Sequence, residues 1–242
     1  MRIAVINLQS GIGTTKGYGQ YATSGWKYVL PHGAKYVREA GALVAAEDID
    51  IALITEVDDR GLRSGFLPQS ETLSEYSGIP HTRFFPTRTI APLVVEGNTI
   101  LSRYPITHTE THPLSIGTIP RVMGEIIVHI EEQRVHVFVA HLGIRNIARA
   151  KQIQDIHRTI TERDEPVILG GDFNERDHEA FEILRTAGFA HIVALPTFPS
   201  WKPVHSLSVL FLSDHFHAPT SSIPDAASFS DHLPLLAETR LR

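Results

Sequence analysis

Short apolar runs alternate with helical patterns along the chain. Continuous apolar runs predict buried strands at 2–8, 51–54, 135–141 and 167–169. Apolar residues at helical spacing predict core-facing helices over 34–47 and 144–163, and a further helix is predicted over 177–187. Because these elements follow one another without a linker or an internal repeat, we expect one domain over residues 1–242.

The middle of the chain has a different pattern. Residues 57–90 are rich in turn-forming residues, which predicts loops with one helix over about 68–77. Short β-branched runs then predict an antiparallel meander, and two more strands are predicted near the end. The predicted strands are Leu93–Val95, Thr99–Ser102, Thr107–His112, Met123–Ile130, Val135–His141, Ser206–Ser213 and Leu235–Thr239. Alternation with apolar neighbours predicts His136 on the surface, and the basic residues of 144–163 predict a solvated helix face.

Residues 10–33 combine glycines with aromatic side chains and predict a long irregular loop. A phosphate-binding P-loop is not indicated, because no Gly-Lys-Ser/Thr follows the glycines. The aromatic residues are candidates for stacking on a substrate ring or for peripheral contact with lipid headgroups. Closing a small satellite core is an equally supported alternative for them. These residues are Tyr18, Tyr21, Trp26 and Tyr28.

Composition narrows the classes of function. The chain has no cysteine, which excludes disulfides, iron–sulfur clusters and thiolate zinc sites. A net charge of -5 disfavours tight general binding to nucleic acid, although a phosphate-handling metal site needs local acids. Neither a transmembrane apolar run nor a signal peptide is found, so a cytoplasmic location is predicted.

Polar residues stand where the predicted buried strands end. Asp172 and Asn174 follow Val167–Leu169 and two glycines, and their spacing places both on one face of an extended chain. An Asx-type turn is the structural alternative for this segment. Five further polar residues at strand ends or in the tail are candidates for the same site. A buried polar side chain must form a hydrogen bond or bind a ligand. The five candidates are Asn7, Glu56, His141, Asp231 and His232.

This residue set suits one type of chemistry. Oxygen-rich ligands without thiols favour Mg²⁺, or Mn²⁺, over zinc. A carboxylate beside such a cation can activate water, and imidazoles can stabilise charge on phosphate oxygens. The sequence lacks the Gly-x-Ser-x-Gly pattern of serine esterases. The predicted activity is therefore phosphoester hydrolysis.

Several motifs resemble those of the endonuclease/exonuclease/phosphatase superfamily, in the same order along nearly the whole chain. They are Asn7, Thr55-Glu56, Gly97–Ile106, Arg121, Ala140-His-Leu142, Gly171-Asp-Phe-Asn174 and Ser230-Asp-His232. The resemblance implies an α/β fold, a four-layer sandwich of two packed mixed β-sheets flanked by helices, with the site at one rim.

The resemblance also implies roles for these residues. Glu56 would be the principal Mg²⁺ ligand, with Asn7 and Asp231 nearby. Asp172 would orient or deprotonate the attacking water. The remaining roles are phosphate or water contact for Asn174, phosphate contact for His141 and His232, support of the site for Asn98, and substrate binding or strand packing for Arg121.

Two positions depart from the family pattern. Ser208 stands where family members commonly carry an Asp that orients the last His, and Asp214 is the nearby acid that could replace it. Thr55 replaces a more usual Gln before Glu56, which is a milder change.

The first predicted function is a Mg²⁺-dependent hydrolase of a small or lipid-type phosphoester. The alternatives are a nuclease and a catalytically weak binding protein of the same fold.

Overall fold

Two six-stranded mixed sheets form the centre of the computed structural model, which describes residues 1–115, 117, 119–161, 163–176, 178–225 and 228–242. In the first sheet, the strands run in the order β11-β12-β1-β2-β4-β3, and in the second they run β5-β6-β7-β8-β10-β9. The first sheet comprises β1 (Arg2–Asn7), β2 (Ile51–Asp58), β3 (His81–Ile90), β4 (Val94–Ser102), β11 (Thr220–Ser222) and β12 (Leu235–Glu238). The second comprises β5 (His108–Leu114), β6 (Arg121–Ile130), β7 (Gln133–His141), β8 (Val167–Asp172), β9 (Phe189–Ala194) and β10 (Ser208–Ser213).

Helices cover the outer faces of both sheets. The α-helices are α1 (Gly19–Ser24), α2 (Lys35–Ala46), α3 (Gln69–Ser77), α4 (Asn146–Thr161) and α5 (Glu182–Arg185). Short 3₁₀ turns occur at Gln9–Gly11, Gly25–Tyr28, Leu62–Ser64 and His178–Phe181. In the described parts of the chain, no helix combines the length and apolarity needed to cross a bilayer.

The apolar core of the described residues consists of three clusters of buried side chains. Val5 and Leu53 of the first sheet pack against Val139 and Leu210 of the second. Helices α2 and α3 bury their apolar faces on the outside of the first sheet, and α4 does the same on the second. The predicted four-layer sandwich is therefore confirmed.

Parallel strand pairs bring distant strand ends to one rim. Asn7 of β1 is aligned with Thr55 of β2, and His141 of β7 is aligned with Asp172 of β8. The two sheets approach closely at Gly170, where an added Cβ would lie 2.6 Å from Leu53 Cδ1. The strand-end residues of both sheets are thereby placed side by side.

The loop prediction for 57–90 is wrong in its last part, since β3 occupies His81–Ile90. This edge strand is half-buried and contains Pro86, so it lacks the apolar run of a central strand. The two strands predicted around Gly97 are one continuous strand, β4, which belongs to the first sheet and limits the meander to β5–β7. Gly97 is required for packing, because an added Cβ would lie 2.3 Å from Phe85 O.

Two further segments differ in helical content. Residues 10–33 include α1 and two 3₁₀ turns, so this segment is more regular than predicted. The helix predicted over 177–187 is reduced to a 3₁₀ turn and the four residues of α5, with residue 177 outside the described ones. Such short helices depend on tertiary packing, which a local pattern does not record.

The prediction that His136 lies on the surface is also wrong. His136 is buried, and its Nδ1 lies 2.5 Å from Glu125 Oε1 while its Nε2 lies 2.5 Å from Glu165 Oε2. Burial raises the pKa of Glu125, but hydrogen bonds from His112 and His136 outweigh it and hold this pKa at about 2. The alternation of polar and apolar residues in a strand is the same for a surface residue and for a buried charged residue that is paired.

The solvated face predicted for 144–163 contains one buried cation. Arg149 Nε donates to Glu175 Oε2 at 2.7 Å, and both side chains are largely buried. Ile147, which the helical spacing of apolar residues over 144–163 predicts to face the core, is exposed. The buried face of α4 therefore begins at Arg149 and continues through Ile153, Ile156 and Ile160.

Candidate active site

Asn7 joins the two sheets at the rim. Its Nδ2 donates to Glu56 Oε1 at 3.1 Å and to Asp172 Oδ2 at 2.8 Å. The strand register shifts between Ile54 and Val57, and Glu56 has a φ of 54°. A bulge re-aims a side chain, and a left-handed non-glycine residue is a strained conformation often found at functional sites. The bulge therefore turns the Glu56 carboxylate toward Asn7 and Asp172.

Asp172 is buried at the end of β8. Its Oδ1 accepts a hydrogen bond from Asn174 N at 2.9 Å. Burial raises the pKa of Asp172, but electrostatic interactions with the neighbouring imidazoles of His232 and His141, followed by the hydrogen bonds from Asn174 and Asn7, bring it below its ordinary value. The preceding Gly171 is required, because an added Cβ would lie 1.9 Å from Ala140 O. Asp172 is thus held as a carboxylate.

His141 lies between the carboxylates. Its Nε2 is 3.9 Å from Glu56 Oε1, 3.8 Å from Asp172 Oδ2 and 3.1 Å from Asn174 Nδ2. Burial, followed by the charge of Arg121, lowers the pKa of His141 to about 3. His141 is therefore neutral at neutral pH, and its Nε2 accepts a hydrogen bond from Asn174 Nδ2.

The tail contributes Asp231 and His232. His232 Nε2 lies 3.7 Å from Asp172 Oδ2, and its ring packs at 4.8 Å from Phe198. Asp231 Oδ2 accepts a hydrogen bond from Tyr21 Oη at 2.5 Å. The Tyr21 ring also lies edge-on to Trp201 at 6.2 Å. Tyr21, from the segment 10–33, thus forms a wall of the site together with Trp201.

The acid missing at Ser208 has no replacement among the described residues. Ser208 is aligned with Asp172 across β8 and β10, and its Oγ is buried without a hydrogen-bond partner. His232 Nδ1 is likewise buried without a partner. Asp214 follows the opposite end of β10, is 69% exposed and pairs with His215 at 3.3 Å. It is therefore not the orienting acid.

We expect Ser208→Asp to raise kcat by up to about tenfold, or at least not to lower it. A carboxylate at this position would accept a hydrogen bond from His232 Nδ1 and fix the orientation of the ring. The measurement is kcat for a phosphoester at saturating Mg²⁺. Ser208→Asn is the matched control, because it adds similar volume without charge. A large loss in Ser208→Asp alone would show that Ser208 has a role of its own.

Arg121 and Asn98 lie beside this cluster. Arg121 is buried, its Nε has no partner, and no carboxylate of the described residues lies within 4 Å of its guanidinium. It lines a cavity of about 300 Å³ together with Ile119, Gly143, Ile144, Arg145 and Ala148. Asn98 Nδ2 donates to Val122 O at 3.4 Å, so this side chain ties β4 to β6.

A buried ion network below Glu56 was not predicted. Arg63 donates to Asp58, to Glu96 Oε2 at 3.0 Å and to Ser10 Oγ at 2.9 Å. The charge of Glu96 contributes to the raised pKa of Glu56. Arg63 follows a loop with no apolar periodicity, so no signal in the sequence distinguishes it from a surface arginine.

The donor set fits a divalent cation. Ligand atoms of Glu56, His141 and Asp172 all lie within 4.8 Å of one another. Burial, followed by the charge of Asp231, raises the pKa of Glu56 to about 8. Because converging carboxylates repel one another, a bound cation would stabilise their ionised forms. Oxygen donors favour Mg²⁺ or Mn²⁺ in this position.

The fold consists of two packed mixed sheets, and a cluster of acid, amide and imidazole side chains lies at one rim of them. The model of the endonuclease/exonuclease/phosphatase family matches residues 19–232. The chain belongs to this family, whose members are usually hydrolases of phosphoester bonds.

Individual proteins resemble this chain to different degrees. An uncharacterised protein of Escherichia coli K12, YbhP, is 30% identical over 159 residues, which are 60% of this chain and 63% of that protein. The match thus spans less than two thirds of that relative.

Solved structures share the fold at low sequence identity. A family member from Beutenbergia cavernae has a TM-score of 0.74 at 18% identity, covering all of this chain and 71% of that one. A mannosyl-6-phosphatase of Bacteroides thetaiotaomicron has a TM-score of 0.70 at 17% identity over all of both chains. The human Nocturnin catalytic domain has a TM-score of 0.70 at 18% identity, covering all of this chain and 93% of that one.

Proposed function

We propose that the protein hydrolyses a phosphoester bond of a small-molecule or lipid-type substrate by attack of water, with Mg²⁺ as its cofactor. The observation that carries this proposal is the convergence of Glu56, Asp172 and His141, with ligand atoms within 4.8 Å of one another, around the bridging amide of Asn7. Such a cluster is costly to bury unless it serves a bound cation and an anionic substrate.

The proposed roles follow from the contacts. Glu56 would hold the cation, with Asn7 and Asp231 beside it. The bound cation would supply charge that polarises the phosphoester and lowers the pKa of water. Asp172, kept ionised by its surroundings, would accept the proton of the attacking water.

Three side chains would bind the phosphate. His141 would contact a phosphate oxygen, with Asn174 Nδ2 within 3.1 Å of its Nε2. His232 would approach from the other side of Asp172. Arg121, which lacks a carboxylate partner among the described residues, would neutralise substrate charge.

A nuclease is the second proposed activity. Its support is the fold shared with diverse phosphoesterases, but the net charge of -5 does not favour tight phosphate-backbone binding. The mannosyl-6-phosphatase among the structural neighbours acts, as its name says, on a small molecule. A small or lipid-type substrate is therefore the first proposal.

The proposal is tested by hydrolysis of bis-p-nitrophenyl phosphate and p-nitrophenyl phosphate with Mg²⁺ or Mn²⁺. We expect turnover that is abolished by a chelator and reduced at least about 100-fold in Glu56→Gln, because a principal ligand is lost. Glu132→Gln, in an exposed turn, is the control and should be unchanged.

The alternatives give different results. Absence of hydrolysis with every divalent metal would overturn both enzymatic proposals and favour a binding protein. Nicking of a plasmid without hydrolysis of lysophospholipids or other small phosphoesters would instead support the nuclease.

A further inference from the structure

Seven large apolar side chains are exposed on three loops near the site. Their exposed fractions run from 38% to 58%. We call this surface the apolar rim. It consists of Trp26, Tyr28, Val29, Leu30, Phe66, Ile90 and Leu93.

Backbone hydrogen bonds hold the three loops together. His32 N donates to Arg63 O at 3.0 Å, which joins the first loop to the second. Leu62 N donates to Pro92 O at 2.9 Å, and Arg63 N donates to Leu93 O at 3.2 Å, which joins the second loop to the third. The three loops that carry the exposed apolar side chains are therefore adjacent, and exposed apolar clusters mark interaction sites in soluble proteins.

The first of these loops is also basic. Residues 12–38 contain Lys16, Lys27, Lys35 and Arg38 but no aspartate or glutamate, although the whole chain carries a net charge of -5. Lys35 lies 3.7 Å from Glu39, and Lys27 Nζ donates to Ile12 O at 2.8 Å. Exposed tryptophan, valine and leucine beside lysines are the composition of an interfacial segment that meets anionic lipid.

Two acids beside the neighbouring loops are paired with arginines, whereas Asp59 accepts hydrogen bonds from the neutral Ser70. Glu71 pairs with Arg60 at 2.5 Å, and Glu96 pairs with Arg63 at 3.0 Å and Arg88 at 3.1 Å. These ion pairs reduce repulsion between the apolar rim and a negatively charged surface.

The apolar rim is continuous with the candidate active site. Tyr28 Oη accepts a hydrogen bond from Gln9 Nε2 at 3.2 Å, and Gln9 N donates to Asn7 Oδ1 at 2.9 Å. Tyr21, in the same segment, bonds Asp231. A surface that contacts Trp26 and Leu30 would therefore lie at the entrance to the site.

We propose that the apolar rim docks on a membrane surface that contains anionic lipid, so that the site opens toward the lipid headgroups. The aliphatic side chains enter the headgroup boundary, and the lysines contact the anionic headgroups. Docking would place the substrate of the proposed function at the membrane surface. Only the reaction at that surface rests on the proposed function. Docking itself is measured without turnover.

The experiment uses co-sedimentation of the full chain with vesicles. One set contains phosphatidylcholine alone, and the other contains about 30% phosphatidylserine. We expect stronger binding to the second set and weaker binding when NaCl rises from about 50 mM to about 500 mM. Trp26→Ser with Leu30→Ser should reduce binding at least about tenfold.

A second readout comes from fluorescence. The chain has two tryptophans, so Trp201→Phe leaves Trp26 as the only indole. Its emission should shift to the blue on addition of the phosphatidylserine vesicles and not on addition of free phosphoserine. Ile147→Ser, which changes a residue 79% exposed on α4, is the matched control and should bind as the parent does.

Hydrolysis of soluble bis-p-nitrophenyl phosphate separates the two proposals. The Trp26→Ser/Leu30→Ser variant should keep this activity while it loses vesicle binding. No vesicle binding by the parent, or an equal loss in Ile147→Ser, would overturn docking whatever the enzymatic result. A concentration-dependent dimer that the double variant abolishes, without vesicle binding, would also overturn it. Vesicle binding without any hydrolysis would leave docking supported and the proposed reaction contradicted.

Discussion

Asp172→Asn is expected to lower kcat by about 10³-fold at saturating Mg²⁺, because it removes the proposed acceptor for the proton of water. The replacement has nearly the same shape, and its Oδ1 can still accept the bond from Asn174 N, while the bond that Asn7 Nδ2 donates to Asp172 Oδ2 is lost. The protein should therefore remain folded. The measurement is kcat together with a thermal unfolding curve.

The pH dependence gives a separate check on Asp172. The pKa of this carboxyl lies below its ordinary value, so the group stays ionised as pH falls into the mildly acidic range. Activity that depends on its carboxylate should fall only when pH drops through that lowered pKa, and this acid limb should be absent from the residual activity of Asp172→Asn.

A matched control for Asp172→Asn is Asp214→Asn. Asp214 lies on the surface and pairs with His215, so this variant should keep the parent kcat. If Asp172→Asn retained more than about a tenth of the parent kcat, Asp172 would not be the proton acceptor.

The sequence predicted the two acids for a simple physical reason. A carboxylate that closes an apolar strand is costly unless it is paired or bound, so Glu56 and Asp172 stand out from their neighbours. The parallel pairing of β7 and β8 then places His141 beside Asp172, as the strand-end pattern implied. Each of these residues is identified from its own strand, as the polar residue that ends an apolar run.

Contacts between distant residues could not be predicted in the same way. Tyr21 and Asp231 are 210 positions apart, and only the assembled fold brings the hydroxyl to the carboxylate. The bulge that turns Glu56 depends on the register of β2 against β4. His136 was misplaced because a period of two does not distinguish a solvent-facing side chain from a buried one that is paired with acids.

Arg121 is buried without an acidic partner among the described residues, and this links the stability of the protein to its function. A buried cation without a counter-charge is unfavourable, and the charge of Arg121 also lowers the pKa of His141. A protein tolerates such a group when a bound anion compensates for it. Removal of Arg121 should therefore stabilise the free protein and weaken its interaction with the substrate.

Arg121→Met is accordingly expected to lower kcat/KM about 100-fold while raising the free energy of unfolding by about 1–3 kcal/mol. Methionine keeps an unbranched side chain in the cavity but removes the charge. Arg145→Met is the control, because Arg145 lines the same cavity from an exposed position, and little change is expected in either quantity. The measurements are phosphoester kinetics and denaturant unfolding on the same preparations. A loss of stability in Arg121→Met together with unchanged kcat/KM would mean that Arg121 packs at the start of β6 and does not bind substrate, which is the structural role that its sequence position also allowed.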